Sequence, residues 1–347
     1  MSKSVASEQR KPHISHVPKH FKLVLTLISI LLGISVIASF TLGSGTVRFN
    51  DLMDGLFYSN VDTYEANIVR KRISRTVFSL CCGAALGVSG ALMQAVTRNP
   101  IADPSILGVN TGASLFVVFG IAFLNISTSG QYIWLALAGA VLTALFVFGI
   151  GSMGRGGATP LKLVLAGAAT TAALSSLVVA IMIPRSYVMD QFRFWQVGSV
   201  GSANWSDMAT FAPFLVTGIL VGILTAPALN ALALGDEFAS GLGVRTGTLR
   251  LIAALAGVIL CGATTALAGP IGFVGLLSTH VIRLLLGPNQ RYIIPMSAMS
   301  GAIILTLSDV SGRLIGSPGE LEVGVVTAFI GAPILIIIAM RSKVRSL

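Results

Sequence analysis

Thirteen carboxylates, four histidines and three cysteines are the groups in this 347-residue chain that could ligate a metal or move a proton, and their placement argues against both. The acids are Glu8, Asp51, Asp54, Asp62, Glu65, Asp103, Asp190, Asp207, Asp236, Glu237, Asp309, Glu320 and Glu322, all in tails, loops or the ends of apolar runs. A carrier coupled to protons or sodium usually keeps an ionisable or coordinating group near the bilayer midplane, because such groups are costly in lipid and are retained for function. His280 is the one titratable candidate inside a run, and a lone histidine there reads as a packed, hydrogen-bonded residue before it reads as a relay. Cys81, Cys82 and Cys261 lie in apolar runs with neither C-x-x-C nor disulfide-framework spacing, and read as helix filler. No H-E-x-x-H, G-x-S-x-G or G-x-x-x-x-G-K-[ST] occurs. The expectation is a chain that is not an enzyme and holds no metal or cofactor, so that any ATP-driven work needs an ATPase on another chain.

Three polar constellations remain. Arg72-Ile-Ser-Arg75 sets two guanidinium groups at the start of an apolar run, and Arg313 follows a later one. Residues 98 to 113 form a polar, proline-broken elbow between apolar stretches. In hydrocarbon no water satisfies a free peptide group, so irregular backbone survives only where protein buries it or where it lines an aqueous path. That makes the elbow a first candidate for part of a conduit, against the plainer reading of a surface loop. The third is the stretch from Leu232 to Thr248, which alternates apolar and polar residues over a short helical length. Asp236 and Glu237 suit the first turn of a helix, where carboxylates meet the positive end of the dipole, and Gly241 or Gly243 suits its stop. Such a helix can dock a partner or lie on lipid headgroups.

The elements that must position these groups follow from composition. With 54% hydrophobic and 10% charged residues, the chain falls far below the roughly 25% charged content of soluble domains, so a soluble globule is excluded. Apolar runs recur near the ~20 residues a helix needs to cross the bilayer. Cutting at polar and Gly/Pro clusters predicts ten spans, near 22–42, 74–96, 105–124, 132–151, 161–183, 207–229, 249–268, 271–286, 292–308 and 322–340. The first follows a polar tail, is long and lacks a clear cleavage site, so it reads as a retained span. The domain layout is then a tail at 1–21, a transmembrane unit at 22–340 with a coupling loop about 230–248, and a tail at 341–347. With the N-terminus in the cytosol, fifteen Lys and Arg fall inside and eight outside, which places both ends in the cytosol. The basic residues behind the net charge of +10 are scattered between runs, so they report topology rather than nucleic acid. Small residues such as Gly83, Gly87 and Gly90 suit close helix packing, and Pro270, Pro295 and Pro333 mark kinks or broken ends.

Taken in order, these motifs resemble the permease subunits of ATP-binding cassette (ABC) importers for iron-siderophores, haem and vitamin B12. The residues that carry the likeness are Arg72-Ile-Ser-Arg75, Gly83 to Gln94, the elbow Arg98 to Gly108, Leu165-Ala-Gly167, Trp195 to Trp205, Leu234-Gly-Asp-Glu237, Gly269 to Gly275 and Gly319 to Pro333. The resemblance implies an all-α, ten-span protein of the bacterial plasma membrane. It implies a second permease copy or paralogue as dimer partner, two cytosolic ABC ATPases that hold ATP and Mg, and an extracytoplasmic substrate-binding protein. By the same resemblance, Arg72, Arg75 and Arg313 dock that binding protein. Asn99 and Ile101, with Thr159, Pro160 and Leu161, form the cytoplasmic gate, and Leu234, Gly235, Asp236, Glu237, Gly241 and Gly243 meet the ATPase.

The chain departs from the family pattern at Ser74, Thr279 and Glu322, where proline is usual, which puts local helix-end geometry in doubt. The leading expectation is import of a ferric siderophore, chosen over haem or cobalamin because siderophore systems are the larger share of the family. An ion-coupled secondary carrier is the alternative from another class, and an intramembrane enzyme or scaffold is disfavoured by the lack of paired catalytic residues.

Overall fold

Each of the ten apolar runs folds as a helix, and the ends differ from expectation where charged residues turn out to be helical. The computed structural model describes residues 20–43, 53, 55, 63–154 and 159–341. The tails expected at 1–21 and 341–347 lie almost wholly outside the described residues, as do Arg48 and Arg155. In chain order the helices are α1 (Phe21–Thr41), α2 (Tyr64–Thr97), α3 (Val109–Phe123), α4 (Ser129–Ser152), α5 (Pro160–Met182), α6 (Ser186–Gln196), α7 (Trp205–Ala233), α8 (Asp236–Gly241), α9 (Thr246–Ala268), α10 (Val274–Leu286), α11 (Gln290–Ile315) and α12 (Val323–Arg341), with a 3-10 turn at Pro104–Leu107. No strand occurs among the described residues. Seven helices are long and apolar enough to cross a membrane, while α3, α10 and α12 are shorter apolar helices.

The centre is α2, which packs against α7, α9, α10 and α11. Its second half is almost continuously buried from Cys82 to Thr97. Small residues make this possible: a Cβ on Gly275 of α10 would stand 2.6 Å from the Leu86 carbonyl oxygen and 3.1 Å from the Gly90 Cα. Contact between helices in lipid comes from such backbone approach, since lipid offers no hydrophobic drive for association. Around this core, α1, α5 and α7 bury only about a fifth of their apolar windows. Proline falls as expected for spans, with Pro295 and Pro333 inside α11 and α12 and Pro270 in the break between α9 and α10.

Two extensions matter for the site. Helix α2 begins ten residues before the predicted 74, and α11 runs seven residues past the predicted 308. Thr63 caps α2 by accepting from the Ala66 amide, so the basic stretch 70–75 is helical rather than a loop. Ser74, standing where proline is usual, donates its hydroxyl to the Lys71 carbonyl inside this unbroken helix.

Candidate functional site

The functional groups gather at the two ends of α2. Twenty-three residues separate Arg75 from Arg98, which at 1.5 Å per residue is about 35 Å, close to the ~30 Å of a hydrocarbon core. One helix therefore holds both polar ends of the bundle at membrane spacing.

At the first end, three arginines and two carboxylates form a connected network. Arg75 donates its Nε to both oxygens of Asp309, at 3.0 and 3.1 Å, and its Nη2 to Oδ1 at 2.6 Å. Its Nη1 donates to Glu320 at 2.6 Å. Arg313, one turn after Asp309 on α11, pairs with the other Asp309 oxygen at 3.1 Å. Asp309 is thus no free span-end acid, as the sequence suggests, but a carboxylate 1% exposed and gripped by two guanidinium forks. Such charge-assisted, multidentate pairing is what a buried carboxylate requires.

Arg72 and Arg313 have a second task. The last turn of α1 carries no basic residue and leaves terminal carbonyls that no intrahelical amide reaches. Arg72 donates to the Phe40 and Thr41 carbonyls at 3.0 and 3.2 Å. Arg313 donates to the Ser39 and Leu42 carbonyls, both at 3.1 Å, and to the Ser39 hydroxyl at 2.9 Å. Cations at a helix C-terminus also complement its dipole. Direct docking of Arg72 and Arg313 onto another protein, expected from the resemblance, meets a physical obstacle here. Both are buried, at 5% and 2% exposure, with Arg72 Nη1 and the Nη groups of Arg313 bonded to α1 or Asp309. All three arginines nonetheless border one cavity of about 340 Å³ at this end together with Lys71 and Glu320, and of these five Lys71 and Glu320 are the exposed ones.

At the other end, α2 stops at Arg98, whose backbone takes the left-handed conformation at φ 50°. The elbow that follows is irregular only from 98 to 108, because α3 already begins at Val109. Asn99 accepts the Ile101 amide at 3.1 Å, Asp103 caps the 3-10 turn by accepting the Ser105 amide at 2.9 Å, and Gly108 turns the chain into α3. Burial pushes the Asp103 carboxyl above its ordinary range, opposed in part by the bonds from Ser105. The 3-10 turn packs on α5, where a Cβ on Gly167 would stand 1.8 Å from the Ile106 oxygen. Thr159 caps α5 and Pro160 occupies its first turn. The elbow and α5 are therefore packed together at Ile106 and Gly167, and of the expected gate residues Ile101 (38%) and Leu161 (68%) are exposed.

The segment predicted as an amphipathic helix is α8, opened by Asp236 and Glu237 and closed at Gly241, with Gly243 at φ 81° after it. Asp236, expected at the partner contact, is engaged within the chain by Arg98 and, at 2.9 Å, by Arg250 of α9. Glu237 is exposed. Exposed apolar residues flank these acids: the expected Leu234, before the helix, is 67% exposed, and Phe238 within it and Leu242 at its end, neither singled out in the sequence, are 71% and 68% exposed. Also missed was α6, whose apolar and polar residues divide between faces with Val188 and Phe192 buried one turn apart.

The comparisons bear on what such a scaffold is. The model of the FecCD transport family matches residues 31–341. The Fe(3+)-citrate import system permease protein YfmD of Bacillus subtilis is 40% identical over 320 residues, covering 92% of this chain and 94% of that protein. The ferric enterobactin transport system permease protein FepD of Escherichia coli is 42% identical over 275 residues, 79% of this chain and 82% of its own. The hemin transport system permease protein HmuU of Yersinia pestis is 32% identical, with 93% and 96% covered. Among solved structures, an inward-facing metal-chelate type ABC transporter superposes with a TM-score of 0.79 at 25% identity, over 92% of this chain and 99% of that one. The helices, their order and these matches agree: the chain belongs to the FecCD transport family.

Proposed function

We propose that this chain is the membrane-spanning permease subunit of an ABC importer that carries a ferric chelate into the cytoplasm. The observation that supports it is similarity along most of the chain to permeases named for ferric citrate and ferric enterobactin. Ten helices cross the plasma membrane, both tails are cytosolic, and the Arg75 end faces outward, as the distribution of basic residues indicates. The chain makes and breaks no bond and holds no cofactor of its own. ATP and Mg belong to two cytosolic ATPase subunits, and an extracytoplasmic binding protein delivers the chelate.

The conduit forms between two permease copies, or this chain and a paralogue. An open cavity of about 930 Å³ between α6, the break before α10 and α12, bordered by Phe273 and the 83% exposed Phe329, suits one half of it. Exposed Ile101 and Leu161 close its cytosolic mouth, since an apolar constriction gates by sterics and dewetting without a charged group. On the outer face Arg75 is the docking arginine: a carboxylate of the binding protein replaces Glu320 on its outer arm, while Lys71 steers the approach. On the inner face the ridge Leu234, Phe238 and Leu242 seats in the ATPase.

Uptake of labelled ferric citrate, ferric enterobactin, haem and cobalamin by cells with and without this gene tests the reading. Loss of ferric chelate uptake on deletion is expected, and loss of cobalamin uptake alone overturns the iron assignment.

A further inference from the structure

The acid that opens α8 does not face outward with the apolar ridge beside it. Its Oδ1 receives two guanidinium groups from different elements, Arg98 at the end of α2 and Arg250 on α9, the latter at 2.9 Å and with a side chain only 7% exposed. Arg98 is also one of three non-glycine residues at positive φ among the described residues, and the residue after it, Asn99, begins the elbow. A left-handed arginine at a helix end persists only where its surroundings hold it, and here its side chain is held by Asp236. Gly235, at φ 120°, frees the chain between α7 and α8 to set the direction of that acid. The ATPase-facing helix and the gate-bearing elbow are therefore joined through one carboxylate oxygen, with Arg250 keeping the carboxylate in register from below.

We infer that Arg98, Asp236 and Arg250 form the positioning link through which displacement of α8 reaches Asn99 and Ile101. The inference rests on the importer reading given above. It assigns the two acids of α8 different tasks: Glu237 faces the partner, and Asp236 faces the gate. Rigid transmission needs a short, charged, partly desolvated contact, because a solvated surface pair yields under load and is screened by salt. Arg250, 7% exposed, supplies the desolvated half of that contact and holds Asp236 for Arg98, and packing of the 3-10 turn on α5 then carries the shift to Thr159 and Leu161.

The test uses the complete complex, with its ATPase and binding protein, in proteoliposomes. Cys81, Cys82 and Cys261 are first replaced by alanine, and Arg98→Cys is combined with Asp236→Cys, so that a short bis-methanethiosulfonate reagent can rebuild the connection. ATP hydrolysis and uptake of ferric citrate, ferric enterobactin or haem are measured in the same vesicles. The reduced pair is expected to keep its ATPase subunits and hydrolyse ATP while uptake per ATP falls at least tenfold. Cross-linking is expected to restore at least half of the lost ratio, which a merely structural role would not produce. An unchanged ratio in the reduced protein, or a lost ratio that cross-linking leaves lost, overturns the link. A cysteine-free parent that hydrolyses ATP yet imports none of the three probes overturns the importer reading and the link with it, whereas a parent that imports leaves only the link at stake.

Discussion

Asp309 and Glu320 are both held by Arg75 at 2.6 Å, and they differ in burial, 1% against 40% exposed. If burial rather than distance sets the value of an ion pair, neutralising each acid must give very different results. Asp309→Asn leaves Arg313, itself 2% exposed, and the inner arm of Arg75 without a counter-charge. Removing one member of a buried pair costs about 3–5 kcal/mol, chiefly from the orphaned charge. Glu320→Gln removes a pair with a solvent-screened partner, worth about 0–1 kcal/mol. At roughly 2 °C per kcal/mol for a chain of this size, the melting temperature of the detergent-purified protein is expected to fall by about 6–10 °C for Asp309→Asn and by no more than about 2 °C for Glu320→Gln. The assay is thermal unfolding followed by tryptophan fluorescence, with monodispersity on size exclusion as the check of folding at the start. Equal shifts for the two variants, or a shift below about 2 °C for Asp309→Asn, would refute the claim that the network is a structural clamp on α1, α2 and α11.

Three further outcomes are expected. Lys71→Glu, on an exposed side chain beside Arg75, should slow capture of the binding protein and flatten its salt dependence while leaving the melting temperature unchanged, measured by surface capture at two ionic strengths. Phe238→Ser, at an exposed apolar position, should leave stability within about 0.5 kcal/mol and reduce recovery of the ATPase on affinity purification about tenfold or more, as for a central interface anchor. Burial raises the Asp103 carboxyl, so the folded chain binds that proton more tightly than the unfolded one. Its contribution is then fullest in acid below the ordinary carboxylate range and is lost as pH rises through the raised value. Asp103→Asn keeps the oxygen that caps Ser105 and should flatten this part of the stability profile, above the ordinary carboxylate range, as followed by thermal unfolding across a pH series.

Apolar runs near bilayer length made the helices legible in the sequence, and all ten predicted spans fall on helices. The α8 helix was legible too, because acids at its start and glycines at its end are local signals. What the sequence obscured were charges inside helices. A hydropathy cut stops α11 at 308 because Asp309 and Arg313 are polar, yet their polarity is spent on each other and on the end of α1, a partner about 270 residues away. The same cut starts α2 at 74 and leaves Arg72 outside, where it reads as a rim charge. Only the tertiary fold shows the carbonyls of Phe40 and Thr41 waiting for it. Helix α6 escaped notice for a different reason: eleven residues of mixed polarity are too short to register as a span and too polar to register as core.

The two polar ends share a design in which one acid is shared by two arginines, but they differ in how tightly it is held. Asp309 is 1% exposed between side chains of 12% and 2% exposure, whereas Asp236 is 45% exposed between arginines of 32% and 7%. A contact whose rupture costs several kcal/mol fixes helices for the life of the protein, and one that water can reach can be remade within a transport cycle. The asymmetry fits the work at each face. If the outer end presents Arg75 to an arriving protein, as proposed, a locked frame suits it. If the inner end passes motion from α8 to the elbow, as proposed, a partly wet joint with backbone bent at Arg98 and Gly235 suits it. Between them α2 is packed against backbone at Gly275, too tightly to absorb displacement along its length. On the proposed link, movement that begins at α8 would therefore pass sideways through the elbow that carries Ile101 to α5, whose first turn carries Leu161.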